Sequence, residues 1–393
     1  MISGRPIILT LSDYYLPGYR AGGPIRTLAG ILEHLADEFL FKVITRDRDL
    51  GETEGFPQVT VNVWQTAGAA QIMYVPPSRA AMWQLRRLIS STEHDALYIN
   101  SCFSLPFGIG PLLLRRCRLI PRRPVIIAPR GELASGALAL NSGRKGLYIA
   151  GARLLGLTRG VIWQASGTHE AEDIRRSIGE RARVVIAADL PAVRSPATTQ
   201  RLEKRPGRLR LLFVSRVSRM KNLDGAVTLL QGVKGTVHFS IYGPIEDTDY
   251  WNRCQDLMRQ LPPNVTVEYG GPVSPDRIND LMTQHDLLFL PTLGENFGHV
   301  ILEAMASGSP VLISDRTRWR GLEAAGVGWD VPLDEPERFH DIIQRCLAMD
   351  SATWDGLSQR ARRYAAQRQR DPEAIEQNRT LFRSAVERPT ASV

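Results

Sequence analysis

The feature that most constrains the fold is an alternation of short apolar runs with amphipathic stretches, broken once in mid-chain. PIILTLS (6–12) reads as a strand. GGPIRTLAGILEHLADEF (22–39) follows, with apolar residues at Ile25, Leu28, Leu32, Leu35 and Phe39. That is helical spacing, and Pro24 suits the first helical position, where its missing N–H costs nothing. FKVITR (41–46), ALYIN (96–100), PVIIAPR (124–130), GVIWQAS (160–166) and RVVIA (183–187) continue the strands, with helices such as HEAEDIRRSIG (169–179) between them. Strands that alternate with helices predict a parallel, doubly wound sheet.

The alternation stops over residues 188–208, a polar stretch with three prolines and no periodicity. It restarts with LRLLFVSR (209–216), VHFSIYG (237–243), VTVEYGG (265–271), DLLFLPT (286–292) and SPVLISD (309–315), and ends in a charged helical tail (354–387). The expected fold is α/β: two Rossmann-like, doubly wound domains facing across a cleft, with ligands at the carboxyl ends of the strands. The first domain is expected at 1–190, a linker at 191–208 and the second domain at 209–365. With 393 residues, 43% of them hydrophobic, the chain can fill two cores.

The four cysteines are scattered and form no CxxC pair, which suits reduced thiols in a cytoplasmic protein. The first apolar run is too short for a signal peptide. Ala96 to Leu114 carries no charge over nineteen residues, but Asn100, Pro106, Gly108, Gly110 and Pro111 break it. A strand, a loop and a helix start are expected there rather than a membrane span.

The net charge of +8 is not shared evenly. Residues 1–195 hold 24 Lys and Arg against 16 Asp and Glu, and the remainder is balanced. RRCRLIPRR (115–123) alone carries five arginines. Such an excess suits an anionic membrane surface or an acidic substrate. Nucleic acid is not an expected partner, because no nucleic-acid-binding motif accompanies the charge. Arginine outnumbers lysine 44 to 5, a bias that weakens any argument from arginine clusters alone.

Three stretches could carry chemistry. In PTLGENFGHVILEAMASGSPVLISD (291–315) a strand runs into a Gly-containing turn and then a helix. Asn296, Phe297, Gly298 and His299 are expected at the helix start, where unpaired N–H groups and the helix dipole favour phosphate or sugar oxygens. Glu295 and Glu303 lie eight apart, placed to accept hydrogen bonds from hydroxyls. In LLFVSRVSRMKNLDGAV (211–227), Arg216 ends a strand and Lys221 precedes a helix, a pair suited to a diphosphate. In SDYYLPGYRAGGPIRT (12–27), Gly22 and Gly23 open the first helix and would let backbone approach an anion. This is not GxGxxG, which disfavours a dehydrogenase.

GENFGHVILEAMASGSPV (294–311) resembles the G-E-x-F-G-x-V-x-x-E-A-x-A-x-G-x-P-V run of family 4 glycosyltransferases of the GT-B fold, including their E-x7-E motif at Glu295 and Glu303. The Arg216/Lys221 pair and the Gly22–Gly23 turn resemble further marks of that family. The resemblance implies a retaining transferase that moves a hexose from a UDP- or GDP-sugar to a saccharide or lipid-linked saccharide. The charge excess of the first domain fits a lipid-linked acceptor at an anionic membrane, so bacterial surface polysaccharide assembly at the inner face of the plasma membrane is the expected setting. Glu303 would hold the ribose and Glu295 the donor sugar. Backbone N–H groups of Phe297, Gly298 and His299 would meet sugar and phosphate, and Val273 would line the base. Arg216 and Lys221 would stabilise the departing diphosphate, so no metal and no other cofactor is expected. Residues 366–393 would return to the first, acceptor-side domain.

Two departures from the family stand out. Relatives carry a histidine after a middle N-terminal strand, where LYINSCFSLP (97–106) here offers Asn100 or Ser101. ADLP (188–191) replaces the usual P-N-G. His94 is expected on the surface, and Arg130 and Glu132 at a strand's carboxyl end, with Arg130 a candidate for substrate. Two alternatives stay open: a nucleotide-sugar 2-epimerase of the same fold, with Asp13 or Glu132 as acid/base, and a non-catalytic nucleotide-sugar-binding subunit.

Overall fold

The computed structural model describes residues 4–78, 80–134, 138, 142–192 and 201–387. The chain divides into two units, residues 1–193 with 371–393, and residues 194–370.

In the first unit the strands are β1 (Ile7–Leu11), β2 (Leu40–Arg46), β3 (Trp64–Ala67), β4 (Ala70–Val75), β5 (Ala96–Ile99), β6 (Val125–Ile127), β7 (Val161–Ala165) and β8 (Arg183–Ile186). They form one sheet in the order β3-β4-β2-β1-β5-β6-β7-β8. Every pairing is parallel except β3 with β4. Helices α1 (Gly23–Leu35), α2 (Ala81–Ser91), α3 (Gly110–Arg116), α4 (Ser142–Leu154) and α5 (Thr168–Ile178) connect strands. The central strands are buried on both faces, so side chains alternate between two separate cores. Ile8, Val43 and Tyr98 enter one, Leu9, Ile44 and Leu97 the other.

The second unit repeats the plan. Helices α6 (Leu223–Thr228), α7 (Thr248–Met258), α8 (Pro275–Gln284), α9 (His299–Ala306), α10 (Leu322–Ala325), α11 (Pro336–Ala348) and α12 (Ser351–Gln369) accompany strands β9 (Arg208–Val214), β10 (Thr236–Tyr242), β11 (Val265–Tyr269), β12 (Leu287–Leu290), β13 (Val311–Ser314) and β14 (Gly328–Val331). The order is β11-β10-β9-β12-β13-β14, all parallel. A connection that leaves β9 for β10 while β12 lies on β9's other side makes a topological switch point, where open α/β sheets place ligands.

The uncharged stretch 96–114 is β5, a wide helical turn (Leu105–Ile109) and the start of α3. No helix among the described residues is long and apolar enough to cross a membrane.

Three expectations need correction. The polar stretch taken for a linker (191–208) lies partly outside the described residues, but its second half packs on the second unit. Arg201 donates to the carbonyls of Gly308, His285 and Asp286, and Lys204 is buried with Nζ on Arg205 O and Met349 O at 2.9 and 3.3 Å. Both cations are spent on backbone oxygens. The tail is two helices. Asp371 caps α13 (Pro372–Val386) by accepting from Glu373 N and Ala374 N, with Pro372 at the first position. The chain therefore rejoins the first unit at 371 and not 366. His94 is buried, its Nδ1 2.7 Å from Thr92 O, and is not a surface residue; burial lowers its pKa.

Candidate functional site

The second unit gathers three loops at the carboxyl ends of adjacent strands β9, β12 and β13. The loop after β9 tightens into a single turn (Arg219–Lys221), and Asn222 follows in left-handed conformation. Asn222 Nδ2 donates to Pro291 O at 2.8 Å. Met220 O accepts from Thr292 Oγ1 and from Leu293 N, each at 2.9 Å. The third loop joins through Ser314 Oγ, which donates to Thr292 O at 2.5 Å, and Arg316 O, which accepts from Glu295 N at 3.2 Å. This lacing sets Lys221 Nζ 2.5 Å from Glu295 Oε1. Both side chains are little exposed, 11% and 13%, so their attraction is screened less than at an open surface.

Glu295 leads directly into α9. Gly298 caps that helix at φ 74°, and a Cβ there would lie 2.8 Å from Ile301 Cδ1; glycine is strongly favoured. The helix begins at His299, so Asn296, Phe297 and Gly298 belong to the approach and not to the first turn, as the sequence had suggested. Asn296 is exposed. Phe297 is buried, its ring 4.4 Å from that of His299 and edge-on to Trp319 at 5.6 Å, while Trp319 Nε1 donates to Phe297 O at 2.6 Å. That clamp fixes the backbone path ahead of the helix's positive end. Glu303 is buried one turn beyond His299, on the same helical face. Val273 lies between β11 and α8, packed against the core.

Arg216 stands apart from the pair. It follows β9, is 43% exposed and holds Glu246 at 2.8 Å. An exposed pair of that kind is exchangeable at little cost.

In the first unit the candidates come together differently. Gly22 caps α1 at φ 73°, and Gly23 is exposed at the helix start. Asn100, Ser101 and Arg130 are also near strand ends, but their side chains are committed inward. Arg130, 5% exposed, donates to Asp189 Oδ1, to the Tyr98 hydroxyl, and through Nε to Asn100 Oδ1 at 2.9 Å. Asn100 Nδ2 reaches Pro24 O at 3.3 Å and Ser12 Oγ at 3.4 Å. Ser101 Oγ donates to Glu132 Oε1 at 2.9 Å, and Glu132 Oε2 accepts from Cys102 N at 2.6 Å. In this structure the Arg130 and Asn100 side chains are thus engaged within the first unit, where they support the loops. Burial pushes the Tyr98 hydroxyl up to about 12, so it keeps the proton it gives to Gln164 Oε1 at 2.7 Å. The two carboxylates that an epimerase would need are likewise engaged: Glu132 as above, and Asp13 with Arg46 at 2.7 Å.

The sequence reading missed Thr292 and Ser314, although each is a hydroxyl at the end of an apolar strand, which was the available signal. It also missed Trp319 and Met220, whose parts rest on contacts from distant segments.

Two parallel-sheet units with a charged pair and a glycine-capped helix at the second unit's switch point define a GT-B fold. Residues 195–368, nearly all of the second unit, match the family model described as Glycosyl transferases group 1. Solved structures agree on the fold over the whole chain. Sucrose-phosphate synthase from Thermosynechococcus elongatus gives a TM-score of 0.68 at 16% identity, covering 97% of this chain and 99% of its own. Anabaena Alr3699/HepE in complex with UDP-glucose gives 0.64 at 16% identity, covering 97% and 100%. In sequence, the D-inositol 3-phosphate glycosyltransferase of Pseudarthrobacter chlorophenolicus is 28% identical over 137 residues, 30% of this chain and 29% of its own. The chain spans between 14% and 39% of the length of the curated relatives it matches.

Proposed function

We propose that the protein is a retaining hexosyltransferase that uses a UDP- or GDP-sugar and needs no metal. The observation that carries this reading is the Lys221–Glu295 pair, laced at the strand ends beside the capped start of α9 within the group 1 domain. Glu303 would accept hydrogen bonds from the ribose hydroxyls and Glu295 from the donor sugar. Backbone N–H groups of Phe297, Gly298 and His299 would meet sugar and phosphate, and Val273 would flank the base. Lys221, joined by Arg216 once it leaves Glu246, would stabilise charge growing on the leaving diphosphate, the work a metal would otherwise do. The acceptor oxygen bonds to the anomeric carbon on the face from which the diphosphate departs. The acceptor's proton passes to a leaving phosphate oxygen, so no covalent enzyme intermediate is required.

The acceptor we infer is a saccharide, carried on a lipid at an anionic membrane surface, as in surface polysaccharide assembly. Residues 81–160 hold twelve Lys and Arg against three carboxylates. Hydrogen bonds join α2 to the loop after α3 (Arg86 Nε to Leu119 O, 3.2 Å) and the last residue of α3 to the end of α4 (Arg116 Nε to Leu155 O, 3.0 Å). The resulting belt mixes exposed arginines with exposed Trp83, Leu155 and Leu154, the last 88% exposed. Cations and apolar tips together suit lipid headgroups.

Acceptor-dependent release of UDP or GDP, measured in EDTA with wild type and Lys221→Ala, tests the reaction. Release that persists in EDTA and falls in the variant supports it. Release unchanged in the variant, or seen only with added metal, contradicts it.

A further inference from the structure

A single line of buried side chains crosses the first unit from its last helix to its first. Asn378 of α13 is fully buried; its Nδ2 donates to Ala188 O at 2.8 Å and Ala374 O at 2.9 Å. Its Oδ1 accepts from Gln164 Nε2 on β7 at 3.1 Å, across 214 residues of sequence. Gln164 Nε2 also donates to Ala187 O at 3.0 Å, and its Oε1 accepts from the Tyr98 hydroxyl of β5. Tyr98 accepts from Arg130, and Arg130 Nε holds Asn100 Oδ1. An amide has one accepting and one donating end. With its oxygen held by Arg130, Asn100 must turn its nitrogen toward Pro24 O, in the first turn of α1 just after Gly22 and Gly23.

This line is more than is needed to dock α13. Leu381, Phe382 and Ala385 are fully buried, and the Phe382 ring meets Phe39 at 5.7 Å, Phe41 at 5.7 Å and Tyr98 at 5.2 Å. Arg383 adds an outer ion pair with Glu38 at 2.5 Å. Apolar packing holds the helix without demanding one amide orientation. A buried polar line fixes orientation, because each link misplaced leaves a partner unsatisfied.

We propose that α13 sets the conformation of the Gly22–Gly23 turn through Asn378, Gln164, Tyr98, Arg130 and Asn100, with Gln164 as the positioning residue at the joint. The consequence for catalysis rests on the transferase reading; the conformational coupling does not. Docking of the chain's last helix thereby becomes a condition for a correctly formed turn at the start of α1, the place where backbone would approach substrate.

The test uses the full chain with Gln164→Leu and Asn378→Leu, and Arg383→Ala as a control on the same helix outside the line. Amide hydrogen exchange reads the turn through Gly22 N, bonded to Tyr19 O, and Arg26 N, bonded to Gly22 O. The expected result is at least tenfold faster exchange over residues 22–27 in both line variants, with protection in α13 retained and the control unchanged. In the transfer assay, the line variants should raise the acceptor KM or lower kcat while donor binding stays as in wild type. Unchanged exchange over 22–27 in both variants overturns the proposal. So does faster exchange there matched by equal loss of protection in α13, which would mean simple undocking. Coupled exchange in a protein that transfers no sugar would uphold the coupling and refute the transferase reading alone.

Discussion

The two units share a plan but use the carboxyl ends of their strands in opposite ways. In the first, Arg130, Asp189, Asn100 and Tyr98 satisfy one another and leave almost nothing exposed. In the second, Lys221 and Glu295 hold a single short contact, and Arg216 leans on an exposed partner. A closed polar cluster fixes shape, because each group is already satisfied. A sparse one can exchange its internal partner for a ligand's oxygens. The same fold thus has one set of strand ends whose polar groups are closed on one another and one whose groups are sparse.

That contrast can be broken at its strongest point first. Arg130→Met removes one partner of the buried ion pair with Asp189. It should cost about 3–5 kcal/mol of stability, read by denaturant unfolding, with donor affinity unchanged. Loss of donor affinity without loss of stability would reverse the assignment of the two ends. Lys221→Ala should do the opposite, lowering kcat by about 10²–10³ in a chain that still unfolds cooperatively. Gly298→Ala forces a side chain into a left-handed position against Ile301 and should destabilise by about 1–3 kcal/mol. It should also weaken donor binding, since it moves the α9 cap. A neutral result would mean that the cap is not under constraint.

The smallest effect is one the two units share. His94 and His285 are each buried with Nδ1 2.7 Å from a backbone oxygen, and burial lowers both pKa values below 6.5. The unfolded chain then binds the extra protons, so stability is full above about pH 6.5 and declines as pH falls through the window down to the folded values. Replacing either by a residue that does not titrate should flatten that slope. A slope of opposite sign would contradict neutral burial.

What the sequence made legible follows the same division. The run from Gly294 to Val311 is local, so turn, cap and helix could be read in order, with only the helix start set too early. The strands of both sheets were legible where apolar residues run unbroken. The β3–β4 hairpin is an exception: Ile72 to Val75 run unbroken, but the partner strand β3 is four residues long and partly exposed; β14 was not legible because it begins on a glycine and carries Asp330. The enclosure of Arg130 was not legible, because its partners lie 30, 32 and 59 residues away. Nothing near it in sequence says that it is enclosed. The linker expectation over 191–208 gave no sign that Lys204 and Arg201 are held by backbone carbonyls, for the same reason: those carbonyls come mostly from distant segments.

The central claim is that the second unit binds a nucleoside diphosphate sugar at Glu295, Glu303 and Lys221. The most direct measurement is a thermal-shift panel of UDP- and GDP-sugars, with and without magnesium, on wild type and Glu303→Ala. A ligand at 100 times its Kd stabilises by about 2.7 kcal/mol. The account predicts that one nucleotide series raises Tm irrespective of magnesium, and that the shift is lost in the variant. No shift with any nucleotide sugar, or an equal shift in Glu303→Ala, would contradict it.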